Sequence, residues 1–364
     1  GYRAERNELL GFIADNRTKL RLMEPVLRSA MRGMGDVIRS ASPAFLPHLN
    51  PHLSVAGLLA RYFKNPHVRL AVSFQSKYLG MSPMECPSIF TILPFIEYEY
   101  GVWHPIGGCS ALTRAMAEVC REMGVEVRCS EPVQTLEFEG TVLKGVRTRA
   151  GLQRHSQVVV NADAAAALKN LLPSSILGRV PRYGSAETID SKRYSCSTYM
   201  LYLGLEGELD LPHHTIYISE SYEQNLRDIT SLGRLSDDPS VYVCNPSRID
   251  PTLAPRGTSS LYVLLPTPNT RAGAGIDWPA RSQEVRKLVL GQLESRLGVR
   301  DIERRILAES VVSPDDWASG VQGSGAINHG ATFNLAHTLG QMLHKRVPHH
   351  VPGVEGLWFV GGGT

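Results

Sequence analysis

The hydrophobic spacing changes character at Gly101, and that switch limits the possible folds more than anything else in the chain. Before it, apolar residues recur at helical intervals: Leu9, Leu10, Phe12 and Ile13, then Leu20, Leu22, Met23, Val26, Leu27 and Met31. Such a 3.6-residue stripe predicts a helix over about 7–35, with Pro25 as the place where it breaks. Residues 44–101 mix short helical runs, at 53–63, 68–74 and 89–100, with prolines and few strand signals. After Gly101 the pattern alternates. His104, Pro105, Ile106, Gly107 and Gly108 read as a turn. A helix over 110–123 follows, with Leu112, Met116, Val119 and Cys120 on one face and Gly124 closing it. Strands are expected at 125–129, 133–139, 142–148 and 157–161, the last opening into a helix over 162–172. Further strands are expected at 199–205, 215–219, 241–245 and 260–266, and a helix at 279–297. Val311 and Val312 then lead into 318–344, which carries no Asp, Glu, Lys or Arg. A helical region followed by alternating strands and helices is the pattern of a mixed α/β protein.

Composition narrows the function classes. Lys plus Arg number 38 and Asp plus Glu 35, so the net charge is +3 and gives no long-range field for nucleic acid. With 43% hydrophobic and 20% charged residues the chain is neither disordered nor a disulfide-stapled miniprotein. Cys86, Cys109, Cys120, Cys129, Cys196 and Cys244 stand at irregular spacings without a CxxC pair, so they read as reduced thiols of a cytosolic chain. The opening GYRAERNELLGF lacks a basic run followed by an apolar one, so no signal peptide is expected. The uncharged 318–344 stretch is too rich in Gly, Asn, Gln and His to span a bilayer. The last residues of the chain, an apolar run at 357–360 meeting three glycines, are the pattern of a buried strand entering a loop that continues, and the chain reads as part of a longer protein.

Several residues are candidates for chemistry, each with a plainer reading beside it. Gly361, Gly362 and Gly363 would let the backbone approach a phosphate or flat ring closely, or would simply make a turn. No complete dinucleotide fingerprint accompanies them, because Gly33 and Gly35 are followed by Ile38 where a third glycine belongs. Gly107 and Gly108 could expose amides at a helix N-terminus to a ligand, or form a tight turn with Ser110 as N-cap. Gly320, Gly323, Gly325 and Gly330 make a glycine-rich loop that could pass close to a flat cofactor. A GxSxG elbow is missing, since Gln322 stands two places before Ser324. The doublets His213-His214 and His349-His350 are not expected to bind metal, because adjacent residues on a strand or helix point apart and no third ligand stands at a motif spacing. Asp36 and Arg39, three apart, share a helix face and read either as a surface ion pair or as a functional one.

Taken in order, the segments resemble a known family. YGVWHPIGG ending at Gly108, then VEVRCSEPVQTLEFEGTVLKGVRTRAG, VVVNADAAAAL, LPHHTIYISESYEQNLRDI, PDDWASGVQGSGAINHGATFN and GLWFVGGGT are similar to the bacterial and fungal type of phytoene desaturase and its carotenoid desaturase relatives. The resemblance spans essentially the whole chain and is clearest over 100–364.

The resemblance implies a flavoprotein of the amine-oxidase-related, glutathione-reductase-like fold. A Rossmann-like FAD-binding domain, incomplete here, would be joined by a mixed-sheet substrate domain and a helical cap. By this resemblance 1–103 is the helical cap and membrane-docking region, 104–172 part of the FAD-binding domain, 173–318 the substrate domain and 319–364 a return to the FAD-binding domain. The implied activity is FAD-dependent desaturation of a long carotenoid polyene, with electrons passed to oxygen or a quinone. The protein would be cytoplasmic and peripheral on the membrane, drawing its substrate from lipid, with homo-oligomers left open. Gly361, Gly362, Gly363 and Thr364 match the family's C-terminal flavin loop, and Gly107 and Gly108 its Pro-x-Gly-Gly element. Val133 matches the adenosine-side strand, and Asn161 and Ala162 the strand-to-helix crossing near the cofactor. Asp36 and Arg39 resemble an Asp-x-x-Arg pair placed near the reactive end of the tunnel. The family's N-terminal GxGxxG and ribose-binding acid are not in this chain. Alternatives are a carotenoid isomerase, a desaturase of C30 or hydroxylated carotenoids, a non-catalytic polyene-binding fragment and, more distantly, an amine oxidase relative.

Overall fold

The computed structural model describes residues 5–320 and 325–364. Gly323 and Ser324, weighed above, lie outside the described residues, as do the first four residues of the chain. Two compact units are formed. One comprises the described residues up to Val102 with Pro132–Ser195 and Phe333–Thr364; the other comprises Trp103–Glu131 with the described residues of Cys196–Thr332. The strands are β1 Thr135–Glu139, β2 Val142–Thr148, β3 Gly151–Arg154, β4 Val158–Val160, β5 Ser197–Glu206, β6 His214–Tyr217, β7 Val241–Cys244, β8 Thr258–Thr267, β9 Ile306–Val312 and β10 Leu357–Phe359.

The first unit opens with helices. The helix expected over 7–35 is two, Arg6–Leu27 and Met34–Ser40. Pro25 has no amide to donate and its ring crowds the carbonyl four residues back, so the first helix ends two residues later. Helix Val55–Tyr62 starts where Ser54 Oγ accepts the Gly57 amide at 3.1 Å, and Pro66–Ser73 where Asn65 Oδ1 accepts the His67 amide at 2.9 Å with Pro66 at the first helical position. Together with Ile92–Tyr100 they enclose Phe12, Leu59, Phe63, Val72 and Met81.

One charged group is shut inside this helical part. Lys19 is 2% exposed, its Nζ donating to Thr91 Oγ1 at 3.2 Å, while Thr91 Oγ1 donates to Asn16 Oδ1 at 2.8 Å. Burial pushes the ammonium down to about 8, against the opposing charge of Asp15. Because the folded chain gives up this proton before the unfolded one does, stability should rise with pH from about 8 to the unperturbed value of 10.5. A Lys19→Met variant keeps the Thr91–Asn16 bond and loses the titration. Its stability advantage over the parent protein is therefore expected to be full below pH 8 and to shrink by roughly 3 kcal/mol across that window, at about 1.4 kcal/mol per unit. Urea unfolding of both proteins at the two ends of the window measures this; a difference that does not change with pH contradicts it.

The rest of the first unit is a three-stranded antiparallel sheet in the order β1-β2-β3 and a parallel pair of β4 and β10. Strand β3, not anticipated from sequence, pairs with β2 because Gly145 leaves room for it: a Cβ there would sit 2.0 Å from the Gln153 carbonyl oxygen. Leu136, Leu143, Val160, Leu168, Leu357 and Phe359 share one core beneath these strands.

The second unit is built on an antiparallel sheet in the order β6-β7-β8-β5-β9. Along β8 burial alternates strictly, Leu261, Val263 and Leu265 facing the core, as expected of a sheet with one covered face. Its cover is the helix Trp278–Leu297, which presents Trp278, Val285, Val289, Leu290 and Leu293. Asp277 caps it by accepting the Ala280 amide at 3.1 Å, and Gly298, at φ 71°, closes it. The helix expected over 110–123 runs from Cys109 to Glu122 and buries no residue; Leu112, Met116 and Val119 are all more than half exposed. The strand expected at 125–129 does not form. Its alternation is intact, but a strand exists only through its ladder, and among the described residues no neighbour pairs with it. The fold is mixed α/β, and no described helix is long and apolar enough to cross a membrane.

Candidate functional site

Two strands of the first unit end side by side. β4 and β10 run parallel in the register Leu357 to Val158, Trp358 to Val159 and Phe359 to Val160, and the Val360 amide continues the pairing by donating to the Val160 carbonyl at 3.0 Å. Past its end, β4 turns through Asn161, Ala162 and Asp163 into the helix Ala164–Leu171, where Asp163 Oδ1 accepts the Ala166 amide at 2.8 Å. Past its own end, β10 gives Gly361, Gly362, Gly363 and Thr364. Crevices outside the carboxyl ends of parallel strands are where open α/β folds hold ligands.

At Gly361 and Gly363 the loop lies against that crossing with no room for a side chain, whereas Gly362 faces open space. Gly361 has φ +108°, and a Cβ on it would meet Asn161 Oδ1 at 2.6 Å. One on Gly363 would meet the Ala164 Cβ at 2.8 Å, with Asn334 Oδ1 at 3.7 Å. Thr364 pins the loop from its far end, its hydroxyl and amide donating to the Gly361 carbonyl at 2.8 and 3.2 Å. What remains is a strip of bare backbone flanked by an exposed asparagine, which suits a flat or anionic group that must come within van der Waals contact of the main chain. Sequence reasoning supplied Asn161, Ala162, Gly361, Gly362, Gly363 and Thr364, and the structure gathers them. It did not supply Asn334, which the structure holds at φ +61°, a conformation that favours Gly and Asn and that no local sequence pattern announces. Val133 stands two residues ahead of β1 and is 38% exposed.

Gly107 and Gly108 lie in the second unit, at φ +84° and +74°, directly ahead of the helix that Cys109 begins. The Gly107 amide donates to Asp250 Oδ2 at 2.7 Å, the same oxygen that the His104 Nε2 reaches at 3.0 Å, and Asp250 Oδ1 accepts from the Thr252 hydroxyl at 2.6 Å. Those bonds, that of Thr252 first, hold the Asp250 carboxyl below the usual carboxylate range in spite of its burial. Sequence reasoning missed Asp250. The Asp-Pro-Thr-Leu run at 250–253 was the available signal, since Asp ahead of proline commonly closes a turn on its own backbone.

Asp36 and Arg39 share the surface helix Met34–Ser40, which buries no residue. Arg39 Nη2 donates to Asp36 Oδ1 at 2.6 Å and the Arg32 amide to Oδ2 at 3.0 Å. The Arg32 amide and then Arg39 hold the Asp36 carboxyl down, so it is an anion at neutral pH. In the glycine-rich loop, Gly330 allows a close approach, a Cβ there falling 2.3 Å from the Pro314 carbonyl oxygen.

Comparison with known proteins gives the site a context. The family described as FAD dependent oxidoreductase matches residues 11–227. Over 320 residues the chain is 42% identical to the 4,4'-diapophytoene desaturase (4,4'-diapolycopene-forming) of Methylomonas sp, covering 88% of this chain and 61% of that protein. It is 38% identical to the all-trans-zeta-carotene desaturase of Myxococcus xanthus, over 83% of this chain and 56% of the relative. With the zeta-carotene-forming phytoene desaturase of the same organism it shares 31% identity over 98% of its length and 66% of the relative's. The chain thus spans less than two thirds of each of these relatives. Among solved structures, an oxidoreductase from Methanosarcina mazei superposes with a TM-score of 0.56 at 16% identity, covering 86% of this chain and 63% of that one, a likeness of fold.

Proposed function

This chain belongs to the carotenoid desaturase branch of the FAD dependent oxidoreductases, and on that premise we propose that its protein introduces conjugated double bonds into a long apolar polyene in carotenoid biosynthesis. The observation that carries the reading is the bare-backbone seat where Gly361, Gly362, Gly363 and Thr364 meet Asn161 and Ala164 at the ends of β10 and β4. That seat fits FAD, because Gly361 and Gly363 let the loop close on Asn161 and Ala164 while Gly362, exposed and with nothing within 4 Å of where its Cβ would stand, leaves main chain open to a flat ring. Asn161, Ala162 and the loop would hold the flavin, with Gly107, Gly108 and Val133 as further contacts on the strength of the family resemblance. The finer architecture proposed is a glutathione-reductase-like FAD domain from 104–172 and 319–364, a substrate domain at 173–318 and a helical cap at 1–103.

When bound, FAD supplies a two-electron acceptor, and quinone or oxygen would take the electrons onward. The protein's own task is to fix a hydrocarbon that has no polar handle and to keep water away from it. An ionised Asp36 would stabilise developing positive charge on the polyene or accept its proton on a carboxylate oxygen, and Arg39 would orient that carboxylate. Membrane docking from the cytoplasmic side is supported by Leu27, Met34 and Ile38, which are 60%, 55% and 71% exposed with Arg28, Arg32 and Arg39 in the same stretch. The similarity to the Methylomonas protein favours a C30 polyene as the second reading beside a C40 one.

The test is to supply the intact protein with FAD and liposomes holding phytoene or its C30 counterpart, and to follow the visible spectrum with and without a quinone. Conjugated absorption that needs the oxidant is expected, and the substrate that yields it sets the chain length. Flavin-loaded protein that converts neither polyene overturns the reading. In the same assay Asp36→Asn should lower turnover by roughly a hundredfold or more, the scale of a lost acid–base group, while flavin stays bound; unchanged turnover removes Asp36 from the site.

A further inference from the structure

The edge of the second unit's sheet gathers three residues that take no part in the flavin seat. His213, His214 and Cys244 each offer one ligand atom, and these atoms all lie within 4.8 Å of one another. The topology explains the convergence. His214 and Cys244 are register partners across β6 and β7, so their side chains stand on one face of the sheet. His213 precedes β6 in a bend, where strand alternation does not apply, yet its carbonyl still accepts the Asn245 amide at 2.9 Å. Its ring therefore turns back onto that of His214, centroids 4.2 Å apart at 77°. The sequence argument that adjacent histidines point apart assumed regular backbone at both positions, and this bend supplies the exception.

The surroundings are those of a prepared ligand set. The Tyr242 hydroxyl lies 2.5 Å from His214 Nδ1 and fixes that ring, as an outer partner commonly does for a metal-bound imidazole. The buried Nε2 of His213 has no hydrogen-bond partner among the described residues, and Cys244 is 4% exposed. The ring of His104, itself held by Asp250, lies 5.4 Å from that of His213. A buried imidazole nitrogen without a partner is costly unless something accepts its lone pair or proton.

We propose that His213, His214 and Cys244 form a binding site for one borderline-soft divalent transition-metal ion of the zinc class, the fourth position open to water. Two imidazoles and a thiolate select such an ion over magnesium or calcium, which take oxygen ligands. Bond lengths of about 2.0 to 2.3 Å require the three side chains to draw together by rotamer adjustment, and the thiol proton leaves to solvent as the sulfur binds. The ion would cross-link β6, a four-residue edge strand, to β7. This inference rests on the sheet alone and stands whether or not the flavin reading does.

The test uses the intact protein without a histidine tag, with the exposed Cys109 and Cys129 changed to serine. After chelator treatment it is titrated with Co²⁺ and then with Zn²⁺ as competitor. One equivalent of Co²⁺ should give a thiolate-to-cobalt charge-transfer band, and Zn²⁺ should erase it. Cys244→Ser should abolish the band, and His213→Gln should weaken binding at least about tenfold, the loss that even outer-shell changes cause. His214→Gln, on an exposed side chain, repeats the test without disturbing buried packing. Absence of the band in protein that is folded by circular dichroism, or binding that is the same in all three variants, overturns the proposal.

Discussion

Replacing Gly361 by alanine is expected to strip flavin from the intact protein while leaving its fold in place. The position has φ +108°, where a side chain costs about 1–3 kcal/mol of strain, and the new Cβ would press on Asn161 Oδ1 at 2.6 Å. The loop must move to relieve both, and the surface it would turn toward the flavin moves with it. Because Gly361 is exposed, little core packing is at stake. FAD affinity should fall by at least about tenfold, equivalent to about 1.4 kcal/mol, measured from flavin absorbance across a titration of folded protein. Flavin content unchanged in Gly361→Ala would take the loop out of the cofactor site.

The largest effect on stability is expected at Trp278. It is 2% exposed, stacks on Tyr199 with ring centroids 5.8 Å apart at 20°, and begins the helix that covers the five-stranded sheet. Tyr199 is fixed in turn by its hydroxyl, which donates to the Ser282 carbonyl on the same helix at 2.9 Å. Trp278→Ala opens a cavity between helix and sheet and should cost roughly 3–5 kcal/mol, whereas Trp278→Phe, which keeps a ring in place, should cost distinctly less. Denaturant unfolding followed by far-ultraviolet circular dichroism measures both. A loss below about 1 kcal/mol for the alanine variant would show that this contact does not hold the unit together.

What could be read from sequence follows the range of the interactions involved. The helix Trp278–Leu297 was legible nearly to the residue, because Asp277 and Gly298 mark its ends locally. So were β2 and, within two residues at either end, β8, whose strict alternation reflects one covered face. The break after Leu27 was legible because Pro25 acts on its own turn. Residues 125–129 misled because alternation reports only a preference, whereas a strand needs a neighbour to bond to. β3 was missed for the converse reason: its pairing depends on the missing side chain of Gly145, nine residues before its register partner Arg154, rather than on any pattern of its own. At the site, the glycine run and the strand-to-helix crossing were each visible, but that they meet depends on a parallel pairing of segments about two hundred residues apart, which only the family resemblance pointed to. Asp250 stands 143 residues from the glycine turn it holds, and no local pattern announces that bond.

Amide hydrogen exchange of the intact protein with and without FAD tests the central claim most directly, because the flavin seat is defined by main chain. Bound flavin should slow exchange at Gly361, Gly362, Gly363 and Thr364 together with Asn161 and Ala162, the two segments that the β4–β10 pairing places side by side. Bound flavin that leaves exchange in both segments unchanged, with protection confined to other parts of the chain, would contradict the account.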